Sequence, residues 1–148
     1  MNGKPITILL VEDDAAHAEI VRRNLETARV ANILNWVADG QEALDYLYRV
    51  GKYQDPVISP APGLILLDLR LPKIDGVEVL NAIKSDPVLS VIPVVIMSTS
   101  AAESDVARAY KSHANSYVVK PLDLKKFTAL LDTIGYYWLV WNERPKLE

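Results

Sequence analysis

Along this chain, short uninterrupted apolar runs alternate with stretches in which apolar residues recur every three or four positions. "ITILLV" (6–11), "LILL" (64–67), "PVVIM" (93–97) and "SYVV" (116–119) are too short for helices. Each predicts a strand buried on both faces, as in a parallel sheet covered by helices. "NILNWVA" (32–38) predicts a fifth, less uniform strand. Helical spacing marks 15–28, 40–50, 75–85 and 102–112, and a last apolar stripe runs through Phe127, Leu130, Leu131, Ile134, Trp138 and Trp141. Five strands alternating with five helices predict an α/β fold with a doubly wound parallel sheet.

One connection breaks this rhythm. "GKYQDPVISPAPG" (51–63) holds three prolines and two glycines, which predicts a long surface loop with a passive packing role, a partner contact being the alternative. At the other end the stripe continues past Gly135, so the last helix is expected to run on. The cluster Tyr136, Tyr137, Trp138, Val140 and Trp141 is hard to bury in so small a domain and predicts a protein interface. Residues 1–134 are therefore read as one domain and 135–148 as a helical extension and tail.

Composition narrows the picture. With 148 residues, half of them apolar and 24% charged, the chain suits one globular domain. A net charge of -3 with scattered lysines and arginines predicts no direct binding to DNA. The absence of cysteine excludes disulfides, thiolate zinc sites and cysteine nucleophiles, and agrees with a reducing compartment. No apolar run reaches the roughly 18 to 20 residues of a membrane span, and "MNGKPITILLVEDD" meets acids too early for a signal peptide. The expectation is a soluble, cytoplasmic protein without membrane contact.

The chemistry sits at the strand ends. In an open parallel sheet, ligands bind outside the carboxyl ends of the strands. Here the first strand is followed by Glu12 and Asp13, the third by Asp68, the fourth by Ser98 and the fifth by Lys120. Two unit charges about 4 Å apart at an effective dielectric of about 20 repel by about 4 kcal/mol, so adjacent carboxylates call for a cation. An all-oxygen set suits a hard ion such as Mg2+, which keeps several waters and takes one or two carboxylates plus a phosphate oxygen. Such a site is shaped for phosphoryl transfer: Asp68 as nucleophile, Lys120 offsetting charge, Ser98 donating to a phosphoryl oxygen. Asp14 is expected to cap the following helix, and His17 and His113, both on predicted helices, to have structural or surface roles.

"VEDD" (11–14), "LILLDLRLPKIDG" (64–76), "PVVIMSTS" (93–100) and "YVVKP" (117–121) together resemble the receiver domain of two-component response regulators, over about 130 residues. The resemblance implies a flavodoxin-like fold with strand order 2-1-3-4-5. It also implies that the phosphohistidine of a sensor histidine kinase donates to Asp68. Mg2+ would be held by the side chains of Asp13 and Asp68, by the backbone carbonyl of Arg70, and by Glu12 directly or through water. Ser98 takes the switch position and Tyr117 the aromatic position that turns inward with it. Lys120 precedes Pro121 across a bond that is typically cis in this family. Glu12 stands where Asp is commoner.

The long loop, the "STS" stretch and the aromatic tail resemble more narrowly the stand-alone regulators paired with phytochrome-type kinases. That implies a homodimer through Tyr137, Trp138 and Trp141 and output through another protein. The chain is then a phosphoacceptor that catalyses only its own phosphorylation and autodephosphorylation. Two other readings stay open: a phosphorylation-independent dimeric interaction module with a vestigial acidic site, and an aspartyl-phosphate hydrolase. The latter needs a second acid two residues after its nucleophile, where this chain has Arg70.

Overall fold

The computed structural model describes residues 5–28 and 30–145. Five strands, β1 (Ile6–Val11), β2 (Asn32–Val37), β3 (Leu64–Leu67), β4 (Val94–Ser98) and β5 (Ser116–Val119), form one sheet in the order β2-β1-β3-β4-β5. Every neighbouring pair is parallel, with Ile8 between Leu34 and Leu64 at the centre. Each strand lies within a residue of its predicted place. Pro93 ends up just outside β4, where its carbonyl accepts from Ile65 N at 3.0 Å.

Helices α1 (Ala15–Glu26), α2 (Gly40–Tyr48), α3 (Gly76–Ser85), α4 (Glu103–Lys111) and α5 (Leu124–Gly135) cover both faces. Because side chains alternate along a strand, each strand feeds two cores. Leu9, Val11, Ile65, Leu67 and Ile96 meet α2, α3 and α4 through Ala43, Leu47, Leu80, Ile83 and Ala109. Ile8, Leu10, Leu66, Val95 and Met97 meet α1 and α5 through Ala18, Val21, Leu25, Phe127 and Leu131. Full burial of one such aliphatic side chain contributes about 1.5–3 kcal/mol, so the two layers together fix the sheet.

Three of the helices, α1, α2 and α5, are capped by aspartates. Asp14 Oδ1 accepts from Ala16 N (2.9 Å) and His17 N (3.2 Å), Asp39 Oδ1 from Glu42 N (2.7 Å), and Asp123 Oδ1 from Lys126 N (3.0 Å). Asp14 is thus the predicted cap. Helix α2 ends earlier than predicted, at Arg49 in the left-handed region, and His113 lies beyond α4 in the same conformation instead of on a helix.

The 51–63 segment is a loop with one short 3-10 turn, Gly51–Tyr53. It is tied down at both ends: Tyr53 Oη donates to Glu42 Oε2 (2.6 Å) and Tyr46 Oη to the carbonyl of Pro60 (2.8 Å).

The largest departure from the expected pattern follows α5. Tyr136–Trp141 is a π-helical turn, closed by Asn142 N donating to the carbonyl of Tyr137 at 2.7 Å. The wider turn moves the apolar stripe by a five-residue step, from Ile134 to Leu139, which is buried against α1 and the sheet. Trp138 is half-buried and still packs against that core, whereas Trp141 is 70% exposed and leaves the predicted stripe. Among the described residues no helix is long and apolar enough to cross a membrane.

Candidate functional site at the carboxyl rim

The sheet register builds the rim. Glu12 N donates to the carbonyl of Val37 (3.0 Å), Asp68 N to that of Val11 (2.9 Å), and Lys120 N to that of Ser98 (2.7 Å). These bonds, with the β3–β4 pairing between them, bring all five strand ends to one level, so side chains more than a hundred residues apart converge. Glu12, Asp13 and Asp68 each offer an oxygen, and those oxygens lie within 4.8 Å of one another. Three hard oxygen donors at that spacing fit a divalent cation. Gly76 keeps the next loop tight: a β-carbon there would stand 2.3 Å from the carbonyl oxygen of Asp68 and 2.6 Å from that of Leu69. Only glycine lets α3 begin so close under the Asp68 backbone.

Glu12 is 2% exposed and Lys120 4%. The Lys120 ammonium donates to Glu12 Oε1, and its Nζ is 3.5 Å from Asp68 Oδ2. Burial pushes the Glu12 carboxyl up to about 7, against the opposing pull of Lys120. The same carboxylate accepts from Asp14 N (3.2 Å), while the Trp36 indole donates to the Glu12 carbonyl (2.7 Å). Asp13 is exposed and Asp68 half-buried, so the rim has a sheltered positive end and an open acidic one.

A second network leads away from the rim. Ser98 is 1% exposed, and its Oγ accepts from Ser100 N at 3.1 Å. Ser100 Oγ donates to Asp105 Oδ2 (2.6 Å), and its carbonyl accepts from Tyr117 Oη (2.8 Å). Asp105, buried in the first turn of α4, also takes Arg70 Nη2 at 2.8 Å. The Ser100 hydroxyl and the Arg70 guanidinium hold its carboxyl below the usual carboxylate range. Ser98, Tyr117 and α4 therefore meet at Ser100, and the loop after Asp68 joins them through Arg70 on Asp105.

The structure thus gathers Glu12, Asp13, Asp68, Ser98 and Lys120 into one site, with Arg70 at its edge and Tyr117 half-buried next to it. Tyr137 and Trp141 stand exposed on the π turn, far along the chain from the rim. One expectation fails: no cis peptide bond occurs among the described residues, so Lys120–Pro121 is trans. Trans is the cheaper X–Pro isomer by about 0.5–1 kcal/mol, and the ammonium is aimed here by Glu12 and His17. His17, expected to have a structural or surface role, reaches Lys120 Nζ with Nδ1 at 3.2 Å, and Trp36, Ser100 and Asp105, to which no role was given, also belong to the surroundings. Asp105 carried a faint signal, an acid one helical turn before the buried Ala109.

Comparison with known proteins agrees with this geometry. The family model described as "Response regulator receiver domain" matches residues 8–132. The chain is 43% identical over 141 residues to a probable methanogenesis regulatory protein, FilR2, of Methanothrix harundinacea, covering 95% of this chain and 88% of that protein. It is 43% identical over 138 residues to response regulator Rcp1 of Synechocystis sp., covering 93% and 92%. The Mn2+-bound crystal structure of Rcp1 superposes with a TM-score of 0.91 at 42% identity, covering 96% of this chain and all of that one. The phosphorylated cyanobacterial phytochrome response regulator RcpA superposes with a TM-score of 0.92 at 40% identity, covering 97% and 100%.

Proposed function

The chain belongs to the response regulator receiver family, and on that premise we propose that it accepts a phosphoryl group on Asp68 from the phosphohistidine of a sensor histidine kinase, one of the phytochrome type. The observation that carries this reading is the placement of Asp68 Oδ2 3.5 Å from the buried Lys120 ammonium, within a cluster of three carboxylates. The relatives support it: Rcp1 holds Mn2+ and RcpA is a phosphorylated phytochrome regulator.

In this reading Asp13 and Asp68 hold Mg2+ with their side chains, Arg70 with its backbone carbonyl, and Glu12 directly or through water. When bound, the ion neutralises charge on the phosphoryl oxygens during transfer. Asp68 supplies the carboxylate oxygen that attacks phosphorus; the P–N bond breaks and its electron pair stays on the departing imidazole. Lys120 stands beside the attacked centre and offsets the charge left on Asp68. Ser98 Oγ turns from Ser100 N to a phosphoryl oxygen, which loosens the residue that also binds Tyr117 and Asp105. Output then runs through the face of α4, β5 and α5, and a C2 dimer uses Tyr137, Trp138 and Trp141.

Incubation with acetyl phosphate and Mg2+, followed by intact-mass analysis of wild type and Asp68→Asn, tests the reading. One phosphoryl adduct on the wild type and none on the variant is expected. No adduct on folded wild-type protein would overturn it in favour of the phosphorylation-independent interaction module.

A further inference from the structure

The Lys120 ammonium has three protons to donate, and three acceptors surround it. One is Glu12 Oε1, another is Asp68 Oδ2 at 3.5 Å, and the remaining one is His17 Nδ1 at 3.2 Å. His17 comes from the first turn of α1, where its backbone N–H is bound by the Asp14 cap. Its ring lies edge-on to Phe127 of α5, with centroids 5.6 Å apart and planes at 80°. Two independent contacts thus fix where the ring nitrogen points. An ammonium can only donate, so Nδ1 meets it as an acceptor and the neutral ring carries its proton on Nε2, on the side of Asp14 Oδ2 at 3.8 Å.

We propose that His17 is a positioning residue for Lys120: with one donor on Glu12, Nδ1 takes a second and leaves the third aimed at Asp68. The proposal rests on the role given to Lys120 above. Glu12 and Lys120 are both almost fully buried and the ammonium rests on Glu12, so without a second acceptor it can rotate about that bond and turn its remaining donors away from Asp68. His17 removes that freedom and keeps one proton facing the carboxylate that accepts the phosphoryl group. Through Phe127 it also makes the position of Lys120 sensitive to α5, the helix that continues into the aromatic turn.

Two measurements test this. In the metal-free wild type, two-bond 1H–15N correlation spectra at a pH where the ring is neutral are expected to show His17 in the Nε2–H form; the Nδ1–H form would overturn the proposal. The second is the rate of adduct formation from acetyl phosphate, read with the melting temperature of each variant. His17→Leu keeps apolar contact with Phe127 but has no acceptor, and slows transfer by roughly three- to tenfold, the rate equivalent of one hydrogen bond. His17→Asn loses the ring yet offers an amide oxygen near the place of Nδ1, and restores the rate to within about twofold of wild type. Equal rates for Leu and Asn would mean that the ring only packs, and would overturn the proposal. If the wild type itself takes no phosphoryl group, the receiver reading of Asp68 fails, and the ring tautomer still decides the question for His17.

Discussion

At the carboxyl rim, Glu12 and Lys120 come from positions 108 residues apart and are both almost fully buried, whereas Tyr136, Tyr137 and Trp141 are near neighbours in sequence and all stand at the surface. The rim is held by long-range strand register, which fixes the backbone from which its charged groups project. The aromatic turn is held by local helical bonds and one buried side chain, Leu139. A fixed arrangement of buried charges suits chemistry at one atom. An exposed aromatic surface of adjustable backbone suits a partner. The route between them runs through α5, whose Phe127 meets the rim and whose C-terminal end becomes the π turn.

Breaking the rim has the largest expected effect. Lys120→Met leaves the Glu12 carboxylate buried without its cation, a loss of about 3–5 kcal/mol for breaking a buried pair. Urea denaturation of the metal-free protein measures it. Adding Glu12→Gln to that variant should recover most of the loss, because no buried charge is then left alone; a double variant as weak as the single one would mean that packing, not charge, holds the rim. The tail responds differently. Trp141→Ser should leave unfolding within about 0.5 kcal/mol of wild type, as for a surface change. It should weaken the dimer by about 2 kcal/mol, roughly thirtyfold in Kd, if Trp141 anchors the interface. Sedimentation equilibrium reads this, and a wild type that stays monomeric at micromolar concentration would remove the dimer from the account.

Acid–base behaviour gives a smaller, signed test of the same contrast. Burial raises the Glu12 carboxyl from 4.5 to about 7, so the folded protein binds this proton more tightly than the unfolded chain. The stability it adds is fully present below about pH 4.5 and is lost as the pH rises through about 7. Without metal, the melting temperature should therefore carry a downward component across that window, and Glu12→Gln should remove it. Mg2+ requires the carboxylate ionised, so the ion should offset the loss at the alkaline end. Trp141→Ser should leave the pH profile unchanged.

The same contrast explains what could be read from the chain. Glu12, Asp68, Ser98 and Lys120 were legible because each directly follows or ends a short apolar run, and parallel pairing then forces them onto one edge. Asp14 was legible as a cap from its place before a helical pattern. The aromatic turn was not, because extrapolating a 3.6-residue period past Gly135 cannot foresee a five-residue step from Ile134 to Leu139. His17, Trp36 and Ser100 stayed hidden for another reason: their roles depend on atoms brought close only by tertiary packing, such as Lys120 Nζ against His17 Nδ1.

The open acidic end of the rim is proposed to hold a divalent ion needed for phosphoryl transfer to Asp68. The most direct test of this is the rate of adduct formation from acetyl phosphate as Mg2+ is raised, in wild type and Asp13→Asn. The rate should rise and saturate with Mg2+ in the wild type and fall by at least about tenfold at limiting Mg2+ in the variant, the loss typical even of groups that only support metal ligands. An adduct that forms as fast in EDTA as in Mg2+, or that is indifferent to Asp13→Asn, would contradict it.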